Sequence, residues 1–207
     1  MVGRSTPDAM LSPGLFSIRW EKALRFAAIR HHGQSRRGSE TPYFEHVAGV
    51  AMILDRLGCD EDVVIAGLCH DVVEDTDTSL DEIRALFGTR VAELVAACTE
   101  VKLDANGQAR PWIDRKRDAI CSLSNASVDA KCLALADKLH NLTSIQLDLI
   151  EGRDIWSSFH ADRTSVLNSY RAVIAACAQG DERLKRLSES CLQVLSLIEV
   201  VEELAKK

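Results

Sequence analysis

The sequence contains few aromatic residues, no long apolar run and no excess of positive charge. Phe, Trp and Tyr make up only 5% of the 207 residues, so the stacked aromatic platforms that bind single-stranded nucleic acid are not expected. The formal net charge is −6, which is a poor match for the phosphate backbone of DNA or RNA. No apolar segment approaches the roughly 20 residues of a membrane-spanning helix. These absences predict a protein with neither a nucleic-acid partner nor a membrane partner.

The cysteine pattern is typical of a reduced protein. The chain has seven cysteines, an odd number, and none of them forms a CxxC pair, so we interpret them as reduced core residues. Residues 1–13 contain one Arg and no apolar stretch, so a secretory signal is not expected. We therefore predict a cytoplasmic protein with a flexible tail over residues 1–15 and a single domain over residues 16–207. The sequence does not indicate its oligomeric state.

Strand-type alternation of apolar and polar residues is absent at any useful length, which predicts an all-α fold. A capping box formed by Ser79 and Glu82 opens a short helix, and Gly88 ends it. Polar loops are expected over residues 33–43 and 103–111. The other predicted helices cover residues 20–31, 47–57, 63–73, 89–99, 112–123 and 128–150, with two more after residue 155.

The most informative segment is residues 70–75, which read His-Asp-Val-Val-Glu-Asp and directly follow the apolar run 63–69. On a helix, His70 and Glu74 lie one turn apart, and so do Asp71 and Asp75. Four ionisable groups would then project from one flank of a mostly buried helix. Burying charge is costly, and that cost indicates a functional site.

A metal site requires further ligands, and the chain offers His46 just before one apolar helix and Asp137 inside another. Together with His70 and Asp71 they supply two nitrogen and two oxygen donors. That set suits an octahedral divalent ion such as Mn²⁺ better than a closed structural zinc site. A single His or Asp on an apolar face is more often a hydrogen-bonded core residue or a helix cap. The four residues and the neighbouring acidic pair, taken together, favour a metal site.

In this arrangement the sequence resembles the HD-domain metal-dependent phosphohydrolases, and among them the RelA/SpoT-type alarmone hydrolases. The strings HDVVEDT at 70–76 and LADKLHN at 135–141 are the most specific part of the resemblance, which covers about residues 20–200. The Thr-Pro-Tyr segment at 41–43 is most similar to the small stand-alone hydrolases, including the metazoan SpoT homologues. The resemblance implies an HD-domain helical bundle.

The resemblance also implies a reaction, the removal of the 3′-pyrophosphate from ppGpp or pppGpp, the alarmones of the stringent response. Glu74 and Asp75 would handle protons and orient the attacking water, although the sequence does not show which of them is the acid and which the base. A bound Mn²⁺ would polarise a phosphoryl oxygen and activate water, and its expected ligands are His46, His70, Asp71 and Asp137.

A second set of polar residues is predicted to bind the nucleotide. Arg36 and Arg37 lie in the basic loop that leads to His46, and guanidinium groups bind phosphate through two hydrogen bonds and stack on bases. Asn141 lies one turn after Asp137, where the family uses an Asn to contact the ribose or base. The candidate phosphate ligands later in the chain are Lys102, Arg115 and Lys116.

Two other functions compete with alarmone hydrolysis. Ile29, Ala134 and Thr143 replace residues that are common in the family, so the substrate could be another nucleotide, such as an adenine alarmone or NADPH. A non-catalytic alarmone-binding module is the third hypothesis. The complete ligand set and the complete acidic pair argue against that module, which would be expected to have lost some of these residues.

Overall fold

Helices make up most of the computed structural model, which describes residues 16–205. Within these residues the only strand-like pairings are two isolated bridges, Ser35 with Pro42 and Leu103 with Ala109. The predicted all-α class is therefore confirmed. The helices are α1 (Ile18–Arg30), α2 (Phe44–Arg56), α3 (Glu61–Cys69), α4 (Val72–Asp75), α5 (Leu80–Phe87), α6 (Thr89–Cys98), α7 (Trp112–Ser124), α8 (Val128–Ile150), α9 (Arg163–Cys177) and α10 (Glu182–Ala205), with a 3-10 turn at Trp156–Ser158.

The predicted tail, residues 1–15, lies outside the described residues. The division of the chain into a tail and one domain over residues 16–207 therefore stays a prediction. Across residues 16–205 no helix has the length and apolar character needed to cross a bilayer. Of the seven cysteines, four are buried and Cys121 is exposed, and none of the seven forms a disulfide.

Local sequence signals set several helix ends. The Ser79 hydroxyl accepts a hydrogen bond from the backbone N–H of Glu82 at 3.2 Å, and α5 ends at Gly88 with φ of 100°. That positive φ is readily adopted only by glycine. Ser127 caps α8 in the same way by accepting from the N–H of Ala130, so this helix begins and ends where the sequence predicts.

Helix α8 lies at the centre of the fold and contacts α2, α3, α6, α9 and α10. Residues 132–136 are all buried, so this part of the helix is covered on every side. Asp137 follows directly, and its side chain is 15% exposed. A carboxylate thus lies at the point where the fully enclosed part of the central helix ends.

Helices α2 and α3 approach each other closely at Gly67. A Cβ atom at this position would lie 2.8 Å from Cδ1 of Leu54 and 3.2 Å from Cα of Ala51. Carbon atoms do not pack that closely, so a side chain here would displace the side chain of Leu54 and press on the backbone of α2. Because α2 carries His46 and α3 leads into His70, this contact determines where two predicted ligands lie.

One expectation about the chain path is wrong. The predicted helix over residues 63–73 is interrupted, since α3 ends at Cys69 and the short α4 begins at Val72. The side chain of His70 bonds the carbonyl oxygen of Gly67, an oxygen that a continuing helix would use for the N–H of Asp71. The break re-aims the Asp71 carboxylate, while the N–H of Asp75 still bonds the carbonyl of Asp71.

Candidate active site

Two histidines and two carboxylates meet where α2, α8 and the end of α3 converge. Nε2 of His46 lies 3.3 Å from Oδ1 of Asp137 and 3.4 Å from Oδ2 of Asp71. Nε2 of His70 lies 3.1 Å from Oδ2 of Asp71 and 3.9 Å from Oδ1 of Asp137. Both imidazole rings are buried. The structure therefore brings the four predicted metal ligands together.

The ring of His70 is oriented by the main chain. Its Nδ1 lies 2.8 Å from the carbonyl oxygen of Gly67, which only accepts, so Nδ1 is the donor. Its buried Nε2 lies 3.1 Å from Oδ2 of Asp71 but makes no well-formed hydrogen bond among residues 16–205. Burial favours the neutral ring, but Asp71 and Asp137 raise the pKa of His70 to about 9. A cation that binds beside Nε2 must therefore displace a proton at neutral pH.

Behind His46 lies a second imidazole, that of His140. Nδ1 of His46 is 3.0 Å from Nδ1 of His140, and Nε2 of His140 is 3.2 Å from Oε1 of Glu45. Gly49 leaves space for this ring, since a Cβ there would overlap Cδ2 and Nε2 of His140. Burial and the neighbouring His46 lower the pKa of His140 to about 4, so its ring is neutral near pH 7.

Asp137 is held from both sides. Its Oδ2 accepts a hydrogen bond from Nζ of Lys138 at 2.5 Å, and its Oδ1 accepts one from Nδ2 of Asn141 at 2.5 Å. Burial disfavours the charged carboxyl, but Lys138 and the two site histidines hold the pKa of Asp137 below its usual range. Asp137 is therefore an ionised and fixed oxygen donor at neutral pH.

Asp71 differs from the other three ligands in being tied to the basic loop. The ligand atoms of His46, His70 and Asp137 lie within 4.8 Å of one another. Asp71 contacts both histidines through Oδ2, but the same oxygen accepts a hydrogen bond from the hydroxyl of Tyr43 at 2.6 Å. Asp71 is therefore as close to the two histidines as Asp137 is, and it approaches them from the side of Tyr43.

The predicted catalytic carboxylates, Glu74 and Asp75, lie on α4 and share one cation. Nζ of Lys102 is 3.3 Å from Oε1 of Glu74 and 2.8 Å from Oδ1 of Asp75. The backbone N–H of Glu100 also donates to Oε2 of Glu74 at 3.1 Å. Burial raises the pKa of Glu74, whose side chain is 19% exposed against 31% for Asp75. The two neighbouring carboxylates therefore have different environments.

Arg36 and Arg37 have no carboxylate partner within 4.0 Å in the described part of the chain, although the rest of the site is rich in ion pairs. Arg36 donates to Oδ1 of Asn141 at 2.6 Å, and its guanidinium carbon lies 5.5 Å from the ring centre of Tyr43. Arg37 lies 5.1 Å from the ring centre of Phe159. Both arginines can therefore meet an anion without first leaving a carboxylate.

Arg115 and Lys116 are paired with Glu100. Nη1 of Arg115 lies 3.4 Å from Oε2 of this carboxylate, and Nζ of Lys116 donates to its Oε1. The buried Nε of Arg115 has no hydrogen-bond partner among the described residues. Glu100 thus holds two predicted phosphate ligands in place, and one of them retains an unused donor.

These groups border a single cleft of about 1130 Å³. Its volume exceeds the upper end of the usual range for small-molecule pockets, about 1000 Å³. All the predicted site residues line it, namely Arg36, Arg37, His46, His70, Asp71, Glu74, Asp75, Lys102, Arg115, Lys116, Asp137 and Asn141.

Sequence reasoning assigned no role to four residues that the structure places at or behind the site. Tyr43 contacts Asp71, and Glu100 contacts both cations on α7. Lys138 and His140 stand beside Asp137 and His46. Three of the four lie within the strings Thr-Pro-Tyr and LADKLHN, which marked the region but not the contacts, whereas no motif marks Glu100.

The donor set fits a divalent cation. Two imidazole nitrogens and two carboxylates converge from α2, α8 and the break between α3 and α4, and the buried Nε2 of His70 faces the carboxylates without a well-formed hydrogen bond among the described residues. This mixture of nitrogen and oxygen, without a thiolate, is typical of sites that keep coordination positions for water or substrate. Each ligating ring also has its second nitrogen engaged, as oriented metal ligands usually do.

Comparison with known proteins agrees with this fold and site. A family model described as HD domain matches residues 23–167, and the chain belongs to this family. The guanosine-3′,5′-bis(diphosphate) 3′-pyrophosphohydrolase MESH1 of Drosophila melanogaster is 38% identical over 150 residues, which cover 71% of this chain and 79% of that protein. The Homo sapiens MESH1 is 41% identical over 139 residues, covering 66% and 73% of the two chains.

A solved structure is also similar. It belongs to a metazoan orthologue of SpoT that hydrolyses ppGpp and plays a role in starvation responses. The TM-score is 0.73 at 31% sequence identity, and the match covers 88% of this chain and 98% of the other. Together with the MESH1 relatives, this similarity confirms the predicted resemblance to the small stand-alone alarmone hydrolases.

Proposed function

We propose that this protein is a metal-dependent hydrolase that removes the 3′-pyrophosphate of ppGpp and pppGpp, yielding pyrophosphate and GDP or GTP. The observation that carries this proposal is the convergence of His46, His70, Asp71 and Asp137 beside the acidic pair of α4, at one cleft lined by cations. The relatives that bear the name of this activity, and the similar structure, support it.

We assign the metal as Mn²⁺. His46, His70, Asp71 and Asp137 would hold it. When bound, such an ion supplies Lewis-acid polarisation of a phosphoryl oxygen and lowers the pKa of water. A set of two imidazoles and two carboxylates suits Mn²⁺ better than a thiolate-preferring ion.

Glu74 is assigned the proton transfer. Its carboxyl group is mostly buried, and burial raises its pKa, which brings it closer to the pH at which a general base works best. The Glu100 N–H fixes one of its oxygens. Asp75 shares Lys102 with Glu74 and is more exposed, so it is assigned the orientation of the attacking water.

The cations of the cleft are assigned to the nucleotide. Arg36 and Arg37 lack carboxylate partners within 4.0 Å among residues 16–205, and they lie on the loop that Tyr43 connects to Asp71. Lys102, Arg115 and Lys116 line the side that carries the acidic pair. Asn141 bonds both Arg36 and Asp137, so it links the recognition loop to the ligand set.

The test is a substrate panel with the full chain, stripped of metal and then loaded with Mn²⁺, Mg²⁺, Co²⁺ or Zn²⁺. The panel contains ppGpp, pppGpp, an adenine alarmone and NADPH, and products are separated by anion-exchange chromatography. We expect Mn²⁺-dependent release of pyrophosphate from ppGpp, abolished by EDTA and restored by Mn²⁺.

Each other result has a defined meaning. Turnover of NADPH or of the adenine nucleotide alone would reassign the substrate and leave the metal assignment intact. Binding of ppGpp without turnover under any metal would support an alarmone-binding module instead. Full turnover in EDTA, with metal content verified as nil, would contradict the metal assignment.

A further inference from the structure

The two site histidines are oriented in different ways. Nδ1 of His70 donates to a main-chain carbonyl, which has no proton of its own, so the bond has a single polarity. Nδ1 of His46 faces another imidazole nitrogen, Nδ1 of His140, at 3.0 Å. A bond between two imidazole nitrogens fixes a tautomer only if something else determines which ring holds the proton.

Glu45 supplies that determinant. Its Oε1 lies 3.2 Å from Nε2 of His140, and a carboxylate can only accept. The Nε2 of His140 therefore carries a proton that faces this carboxylate, and its Nδ1, 3.0 Å from Nδ1 of His46, is the atom that accepts between the two rings. His46 must then donate from its own Nδ1, which leaves the lone pair of its Nε2 directed between Asp71 and Asp137.

The space for this arrangement is built into α2. Glu45, His46 and Gly49 lie within about one and a half helical turns of each other. The ring of His140, from α8, enters where Gly49 has no side chain, and a Cβ there would overlap its Cδ2 and Nε2. The side chain of His140 is only 13% exposed, so water has little access to the site and does not easily replace the hydrogen bond to His46.

We propose that His140 is a positioning residue that fixes the tautomer of His46, and that Glu45 fixes His140 in turn. The series of hydrogen bonds from Glu45 through His140 to His46 directs the lone pair of His46 Nε2 towards the bound cation. This inference rests on the proposed metal dependence, but it assigns a role to residues outside the ligand set. His70 needs no such series of hydrogen bonds, because the Gly67 carbonyl alone fixes its tautomer.

This series of hydrogen bonds predicts different Mn²⁺ affinities for two substitutions of His140. In His140→Leu the acceptor is lost, and His46 can move its proton to Nε2, where Asp71 and Asp137 accept it. The lone pair is then no longer available, so Mn²⁺ affinity falls, while in the metal-free protein the proton of His46 is still accepted by Asp71 and Asp137. In His140→Asn the amide oxygen occupies a position close to that of Nδ1 and can still accept. The asparagine should therefore retain most of the affinity.

The experiment measures Mn²⁺ dissociation constants of the full-length, metal-stripped protein, from the electron paramagnetic resonance signal of free Mn²⁺. Outer partners of ligating histidines typically contribute about 10- to 100-fold in metal affinity, so we expect a loss of that size in His140→Leu and near-wild-type binding in His140→Asn. Gly49→Ala, which keeps every donor but displaces the ring, should weaken binding as well. His32→Leu, the same substitution at an exposed position, should leave it unchanged.

Thermal melting of the metal-free variants separates positioning from folding. Equal Mn²⁺ affinity in wild type and His140→Leu would overturn the proposal. Equally weakened binding in the Leu and Asn variants, accompanied by lower melting temperatures without metal, would also overturn it, because the role would then be structural packing. A wild-type protein that binds neither Mn²⁺ nor another divalent ion would refute the proposed metal dependence itself, a result distinct from both.

Discussion

The hydroxyl of Tyr43 donates to Oδ2 of Asp71 over 2.6 Å, which ties the end of the basic loop to a candidate metal ligand. The Tyr43 ring also lies 5.5 Å from the guanidinium carbon of Arg36. Burial and the charge of Asp71 raise the pKa of Tyr43 well above its usual value, so the phenol stays protonated and remains a donor. One side chain therefore contacts both the metal-binding and the nucleotide-binding parts of the site.

The Tyr43→Phe variant tests that link. Losing the hydroxyl should leave Asp71 less firmly oriented and weaken Mn²⁺ binding by about 10-fold, the lower end of the effect expected for outer partners of ligands. The ring itself remains, so KM for the nucleotide should change little at saturating Mn²⁺. Metal titration and steady-state kinetics measure the two effects. Unchanged metal affinity would show that Asp71 is oriented without Tyr43.

Substitutions of the metal ligands and of Glu74 should have different effects on metal content and turnover. Asp71→Ala and Asp137→Ala should each lose bound metal and activity, while Glu74→Ala should keep the metal and lose about 10²- to 10⁴-fold in turnover. Metal content by mass spectrometry, measured beside kcat, distinguishes the two classes. Wild-type metal affinity in Asp71→Ala would remove that residue from the ligands, and near-normal kcat in Glu74→Ala would refute its catalytic role.

Asp137→Ala should also destabilise the protein, for a reason unrelated to metal. It leaves the ammonium of Lys138, which bonds Oδ2 of Asp137 at 2.5 Å, without that partner. The penalty for a buried group without its partner is about 1–3 kcal/mol. Adding Lys138→Met should recover stability but not metal binding. Denaturant unfolding of the single and double variants checks this, and no recovery in the double variant would mean that the loss came from elsewhere.

The pH dependence of stability should report the burial of Glu74. Burial raises its pKa in the folded state, so the folded protein binds this proton more tightly than the unfolded chain does. Its contribution to stability is then highest below the ordinary carboxyl pKa and falls as pH rises towards the folded-state value. Metal-free Glu74→Gln should therefore melt above wild type at pH 7, with the difference shrinking in acid. A difference that stays constant with pH would contradict this.

Arg36 should matter for the nucleotide and not for the metal. Replacing it with Ala should raise KM, with little change in Mn²⁺ affinity or melting temperature. If the planar guanidinium stacks on the base, Arg36→Lys should have a KM almost as high as that of Arg36→Ala. If only charge is needed, Arg36→Lys should have a KM close to that of wild type. In the second case, added salt should weaken wild-type binding more than mutant binding. An unchanged KM across the substrate panel would assign recognition to Lys102, Arg115 and Lys116.

Much of the fold could be predicted from local signals. The predicted helix over residues 128–150 coincides with α8, and Ser79 with Gly88 defined α5. The interruption at His70 was not predicted, because His70 and Asp71 lie between the apolar run 63–69 and Val72-Val73 and were interpreted as polar residues on one continuous helix. At the end of α3 the His70 ring bonds the main chain at Gly67, a contact that no periodicity reveals.

The site was predictable as a set of residues, but its contacts were not. Motif spacing identified His46, His70 and Asp137, which the structure brings together. Some of these residues are held by near neighbours in the chain, as His70 is by Gly67, but other contacts in the site join distant parts of the chain. The N–H of Glu100 reaches Glu74, and His140 reaches His46 across 94 positions. Such contacts depend on how the helices pack against each other, which a single sequence does not specify.

The absence of a side chain at Gly67 has a consequence for how the protein can vary. Position 67 does not line the cleft, and in the core it would ordinarily tolerate a small apolar residue. Here a methyl group would meet Leu54 and the backbone of Ala51. A substitution at position 67 that is chosen for core packing alone is therefore expected to disturb the packing of the two helices that carry His46 and lead into His70.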